Sequence, residues 1–208
     1  MDNGLRVTGG GEGEPLLLLL HGLGATGDVW SGWGPVLARR WPGRWLAPDL
    51  PGHGGSAALP AYTFDALAEA VSPLVGTDGR TVVLGHSLGG VVALALAARQ
   101  PVAAVAGLGI KVAWTAEELD RARALAERPV AWFDSREEAA ARHLRVSGLA
   151  GLVAEDDPSA PVRLARGEHD GMNTDEQLAG LGVPVVTLAG LGHNAHVESP
   201  ERCGVLLD

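Results

Sequence analysis

The stretch TVVLGHSLGG (residues 81–90) runs directly into VVALALAAR (residues 91–99). The first four residues have strand character, and the alanine-rich run that follows the glycines reads as a helix. Between them stands Gly85-x-Ser87-x-Gly89. A G-x-S-x-G turn from strand into helix is a nucleophile elbow, so tight that the positions flanking the serine must be almost free of side chain. Glycine meets that demand because it tolerates strained dihedrals and admits a neighbouring backbone. Ser87 is then held above a sheet edge, at the positive end of a helix.

Working outward, short apolar runs alternate with longer helical stretches. Strands are expected at 16–20, 44–47, 81–84, 102–108, 162–165 and 185–188. Several read as continuous apolar runs, which suits strands buried on both faces of a parallel sheet. Helices are expected at 34–40, 64–75, 88–99, 175–181 and 200–207. The alternation implies right-handed βαβ units and a three-layer α/β/α sandwich with a mostly parallel sheet. Residues 112–161 break the pattern with two capping boxes, Thr115-x-x-Glu118 and Ser135-x-x-Glu138, and no strand between them. They read as a small helical cap inserted into one domain spanning residues 1–208. The glycine-rich stretch at 9–13 reads as a flexible turn.

Composition narrows the partners. Of 208 residues, 46% are hydrophobic and 20% charged, enough apolar material for a real core. The net charge of −9 argues against a nucleic-acid or anionic-membrane partner. Cys203 is the single cysteine, so no intrachain disulfide forms. The start of the chain lacks a basic n-region, and the five leucines at 16–20 are too short to span a membrane. A cytoplasmic protein is the expectation.

A nucleophilic serine needs a base, and the base an orienting carboxylate. With this elbow the chain order is serine, acid, histidine. Of the seven histidines only His193 and His196 follow the last strand. His193 stands in Gly190-Leu191-Gly192-His193, a loop that lets an imidazole project over the sheet edge, and is read as the base; His196 is read as a packing or hydrogen-bonding residue. The acid belongs just past residues 162–165, where the sequence gives Arg166-Gly167-Glu168-His169-Asp170-Gly171. Asp170 is the choice and Glu168 the alternative. His193-x-x-His196 has half the pattern of a metal site but no third ligand at suitable spacing, so no metal is expected. Gly22-x-Gly24-x-x-Gly27 spells a dinucleotide fingerprint, with Asp49 22 residues beyond Gly27. A nicotinamide cofactor would leave GHSLGG, GEHD and GLGH unexplained, so no cofactor is expected either.

Taken together, HGLG, DLPGHGGS, GHSLGG, GEHD and GLGHNAHVESPE, spread from residue 21 to 201, resemble the α/β-hydrolase family. The resemblance implies Ser87 as nucleophile, His193 as base and Asp170 as acid. It also implies an oxyanion hole from the backbone N–H groups of Leu23 and Leu88. The chain is compact for that family: only 5–7 offers a strand ahead of residue 16, where two are usual, and the cap is short. Serine at the elbow disfavours the haloalkane dehalogenase and epoxide hydrolase branches, which carry Asp there. His86 and Val91 depart from the carbon–carbon hydrolase and menaquinone-lyase patterns. Hydrolysis of a carboxylic ester ranks first, with thioester, lactone, lyase and perhydrolase chemistry as alternatives on the same residues. The partner expected is a small-molecule ester or thioester. Trp30, Trp114, Trp132 and Met172 are candidates to line its pocket.

Overall fold

The computed structural model describes residues 4–128, 162–180 and 183–207. Seven strands form one sheet: β1 (Val7–Gly10), β2 (Leu17–Leu20), β3 (Trp45–Pro48), β4 (Val82–His86), β5 (Ala104–Leu108), β6 (Val162–Gly167) and β7 (Val185–Leu188). Their order is β1-β3-β2-β4-β5-β6-β7. Only β1 runs antiparallel, along β3; every other pair is parallel. The helices are α1 (Gly34–Arg40), α2 (Phe64–Val71), α3 (Leu88–Arg99), α4 (Ala116–Ala126), α5 (Asp175–Ala179), α6 (Ala195–Glu198) and α7 (Pro200–Cys203). None of the described helices is long and apolar enough to cross a membrane.

The leucine run shows why the sheet is covered on both sides. Successive strand residues point to opposite faces. Leu17 and Leu19 join one core with Trp30, Trp33, Leu37, Cys203 and Leu206. Leu18 and Leu20 join the other, with Leu67, Val71, Val92 and Leu96 from α2 and α3. All four leucines are fully buried. Each such burial contributes roughly 1.5–3 kcal/mol, so an alternating polar strand could not replace this one.

The topology puts a crevice at the carboxyl end of the sheet. The chain leaves β2 toward β3 but leaves β4 toward β5, and β2 and β4 are neighbours. Loops diverge there, which is where open α/β sheets bind ligands. Leu20 pairs with Gly85, and His86 with Leu108, so the turns after β2, β4 and β5 open at one level.

Four local expectations need revision. The edge strand is Val7–Gly10 instead of 5–7, and it takes in Gly9 and Gly10 from the supposed flexible turn. The glycines fit because a Cβ at Gly9 would stand 2.6 Å from the Trp45 carbonyl oxygen of β3. The helix begun at Phe64 stops at Val71 and tightens into a 3-10 turn, Ser72–Leu74, whose Pro73 lacks an amide hydrogen. The C-terminal helix is α7 followed by a 3-10 turn, Gly204–Leu207. Thr115 and Glu118 do form the capping box that starts α4; the second box, at Ser135 and Glu138, falls outside the described residues.

Asp49, just past β3, anchors the loops around this crevice. Its fully buried carboxylate accepts from Gly27 N (2.7 Å) and Gly55 N (2.9 Å) and pairs with Arg6 Nη1 at 3.1 Å. Gly27 therefore has a role of its own: a Cβ there would lie 2.5 Å from the Ala47 carbonyl oxygen. Burial pushes the Asp49 pKa up, but the Gly55 and Gly27 amides and Arg6 outweigh it and leave the pKa lowered. A carboxylate with a depressed folded pKa stabilises fully at neutral pH, and loses that contribution as pH falls below the ordinary 3.8 toward the folded value. Asp49→Ala is expected to cost about 3 kcal/mol at pH 7 in urea unfolding. The gap to wild type should narrow in acid. A gap independent of pH would mean the carboxylate charge is not what ties these loops.

Candidate active site

The elbow is built by exclusion. A Cβ on Gly85 would collide with the Gly89 backbone, and one on Gly89 with the Leu20 carbonyl of β2. Strand, turn and helix thus approach at backbone contact distance. Ser87 takes φ 50° and ψ −116°, the one described non-glycine residue with positive φ. The surroundings hold it there: Ser87 N donates to Leu108 O at 2.8 Å, and Ser87 O accepts from Gly90 N at 3.0 Å. Leu88 opens α3, so its N–H belongs to the first turn, where no intrahelical acceptor exists.

The loop after β2 faces this turn. A Cβ on Gly22 would sit 3.3 Å from Ser87 Cβ and 2.7 Å from His86 Nδ1, so glycine is needed for the two turns to meet. Gly24 adopts φ 73°, a left-handed conformation that glycine takes without strain. His21 governs the Gly22–Leu23 peptide. Its Nε2 accepts from Leu50 N at 2.8 Å, which leaves the proton on Nδ1 to be donated to Gly22 O, also at 2.8 Å. Burial first of all lowers its pKa to about 4, so the ring is neutral in this one tautomer. In a trans peptide N–H and C=O point opposite ways. Holding the Gly22 oxygen from one side turns the Leu23 N–H to the other.

His193 and Asp170 meet directly: Nδ1 of His193 donates to Asp170 Oδ2 at 3.0 Å. The other carboxylate oxygen accepts from Met172 N at 3.0 Å. Burial raises the Asp170 pKa, but these bonds and the nearby Arg166 carry it below the ordinary carboxylate value. An ionised Asp170 can only accept, which places a proton on His193 Nδ1. Glu168 is turned away, accepting from Gly190 N at 2.7 Å, so Asp170 alone of the two meets the imidazole. Asn173 fastens the loop bearing Asp170 to the segment after β5, donating to Ile110 O at 2.8 Å and accepting from Val112 N at 3.2 Å.

Ser87 lies on the same edge through His86. The His86 ring stands 4.8 Å from that of His193, and its Nε2 is 3.0 Å from the His193 carbonyl oxygen. Behind it lies His196, buried, with ring centroids 4.0 Å apart. His196 thus packs against the site from below, and its carbonyl accepts from Trp33 Nε1 at 2.9 Å. Neither His21 nor His86 is given a part by sequence reasoning; an HG pair after a strand and a His ahead of the elbow serine were the available signals.

A cavity of about 550 Å³ opens above His193 and Asp170. Trp114 and Met172 line it, together with Lys111 and the Glu118, Arg121 and Leu125 face of α4. Lys111 pairs with Glu118 at 3.1 Å and lies 5.0 Å from the Trp114 ring centre. Trp30 does not belong to this wall. It is fully buried in the core, edge-on to Trp33 at 5.1 Å and against His196 at 4.9 Å. Trp30 follows the β2 turn closely in sequence, but it lies in the 3-10 helix Gly27–Trp33, which buries its indole. Trp132 lies outside the described residues. Among the described residues no cluster of three or more His, Cys, Asp or Glu side chains is disposed to hold a metal.

A serine at a strained strand-to-helix turn and a histidine–aspartate pair at the same end of a mostly parallel sheet define a class of protein. The chain matches the alpha/beta hydrolase fold family over residues 15–155, and it belongs to that family. Among curated relatives, it is 43% identical over 105 residues to the magnesium-chelatase 30 kDa subunit of Rhodobacter capsulatus, covering 49% of this chain and 36% of that one. It is 46% identical over 88 residues to the pimeloyl-[acyl-carrier protein] methyl ester esterase of Aromatoleum aromaticum, covering 42% and 33%. The chain thus spans about a third of the length of these relatives. Solved structures match nearly throughout. A thermophilic esterase from Thermogutta terrifontis superimposes with TM-score 0.73 at 23% identity, covering 97% of this chain and 90% of that one. A hydrolase from Pseudomonas aeruginosa gives 0.72 at 25%, covering 98% and 92%.

The strain at Ser87 is measurable. A non-glycine residue held in such a conformation costs about 1–3 kcal/mol. Ser87→Gly relieves it and Ser87→Ala does not, so Ser87→Gly should unfold at higher urea, by about 1 kcal/mol after the extra chain entropy of glycine. Equal stability of the two variants would mean the turn is unstrained.

Proposed function

We propose that the chain is a serine hydrolase that cleaves a carboxylic ester through an acyl-enzyme. The observation that carries this reading is the 3.0 Å bond from His193 Nδ1 to Asp170, on the sheet edge where Ser87 stands at φ 50°. His193 Nε2 takes the proton of Ser87 Oγ as the oxygen attacks the ester carbonyl, and the carbonyl electron pair moves onto oxygen. The N–H groups of Leu23 and Leu88 receive that oxyanion; a donor of this kind typically contributes about 2.7–4 kcal/mol. Collapse expels the alcohol, which takes the proton from His193. Water then attacks the acyl-serine with the same base and releases the acid. Asp170 stays ionised and fixes the imidazole tautomer throughout.

The substrate occupies the cavity between the acid loop and α4, where Trp114 and Met172 offer apolar contact. Esters are favoured because the chain's curated relatives include esterases named for a methyl ester. With p-nitrophenyl acetate and butyrate, wild type should turn over and Ser87→Ala should not. Asp170→Asn should lose roughly 10³–10⁴-fold in kcat, because the imidazole then adopts the wrong tautomer. Undiminished turnover by Ser87→Ala would overturn the assignment; undiminished turnover by Asp170→Asn would remove the acid.

A further inference from the structure

The base reaches the nucleophile from far across the sheet. β7, which leads to His193, is bonded only to β6, and three strand spacings separate it from β4. At about 4.8 Å per spacing that is roughly 14 Å. Something must fix the backbone of His193 against the elbow, or the distance from imidazole to Ser87 varies with the loop.

We propose that His86 is the positioning residue that sets this distance, by donating its Nε2–H to the main-chain carbonyl of His193 while its ring fills the space between the elbow, the oxyanion turn and the base loop. This deepens the serine hydrolase reading and rests on it.

The ring makes one hydrogen bond and packs against Gly22, His193 and His196, while its buried Nδ1 makes no hydrogen bond. Because a carbonyl oxygen can only accept, the 3.0 Å contact to His193 O places the proton on Nε2. The bare Nδ1 edge abuts Gly22, whose missing side chain makes the room. One face meets the His193 ring at 4.8 Å and 54°, and the ring also packs on His196 at 4.0 Å and 31°. His86 itself is the last residue of β4, paired with Leu108, and Ser87 follows it directly. One rigid ring therefore touches the residue before the oxyanion donor Leu23, the backbone of the base, and the strand that ends in the nucleophile. The ring is buried, and burial together with its histidine neighbours holds it neutral, so the donor persists wherever the enzyme is folded. The second tie, Trp33 Nε1 to His196 O at 2.9 Å, holds the far end of the same segment.

The test compares donors of different reach in the variants His86→Gln, His86→Asn and His86→Leu. The glutamine side chain would place an amide N–H about where Nε2 lies, the shorter asparagine would fall short, and leucine would fill space without donating. Each variant is checked for folding by circular dichroism and thermal melting. kcat and KM for p-nitrophenyl butyrate are read alongside the rate of labelling by a fluorophosphonate. Misplacing reacting groups by about 1 Å costs roughly 10²-fold, so His86→Leu and His86→Asn should lose about that in kcat and in labelling rate, with KM nearly unchanged. His86→Gln should recover most of it. If His86→Leu fails to fold, the contrast of the glutamine with the asparagine variant decides alone. Equal kcat for those two, or a folded His86→Leu at wild-type kcat, overturns the positioning role while leaving the hydrolase reading intact. Wild type that neither labels nor hydrolyses any ester overturns the hydrolase reading, and the positioning role with it.

Discussion

At the carboxyl ends of β2 and β4 two backbones and the first turn of α3 meet with no space for side chains. Gly85 and Gly89 are glycine because any Cβ would strike the α3 backbone or Leu20. That approach forces Ser87 into positive φ and lifts it clear of the sheet. It also brings α3 down onto β2 and β4, so the alanine-rich sequence of the helix follows from the same restriction. The remaining elements of the site are arranged around this junction. Gly22 lets the β2 turn lie against it, the Leu108 carbonyl holds Ser87 N, and His193 arrives from the far side of the sheet.

A second theme is that buried neutral histidines serve as fixed struts. His21 bridges Leu50 N and Gly22 O, and His86 bridges the elbow strand and His193 O. Burial depresses the pKa of both and keeps each neutral, and their hydrogen bonds fix which ring nitrogen carries the proton. Asp49 does the same work with a charge, joining Gly27, Gly55 and Arg6. These three residues orient backbone groups around the Ser87 turn.

Much of this was legible in the sequence, for a physical reason. The strand positions of β2, β4, β5 and β7 could be read because continuous apolar runs fit a sheet buried on both faces. The Ser87 elbow and the pairing of Asp170 with His193 were legible because the turns that present them need glycine or fall at strand ends. Elsewhere the decisive contacts join residues distant in the chain and leave no local trace. Gly9 and Gly10 carry no side-chain periodicity, so the second half of β1 reads as a turn, whereas Gly9 lies against the Trp45 carbonyl and Gly10 against the Trp45 indole. Trp30 looked like a pocket residue from its neighbours in sequence, whereas a 3-10 helix turns it into the core. The hydrogen bond from His86 spans 107 residues, beyond any local pattern.

Covalent acylation of Ser87 is the event on which the proposed chemistry turns. A slowly deacylating p-nitrophenyl carbamate, incubated with the wild-type protein and followed by peptide mass spectrometry, reads it directly. The prediction is one carbamoyl group per chain, on the peptide bearing Ser87. Carbamoylation at another side chain, or none in a preparation that hydrolyses esters, would contradict it.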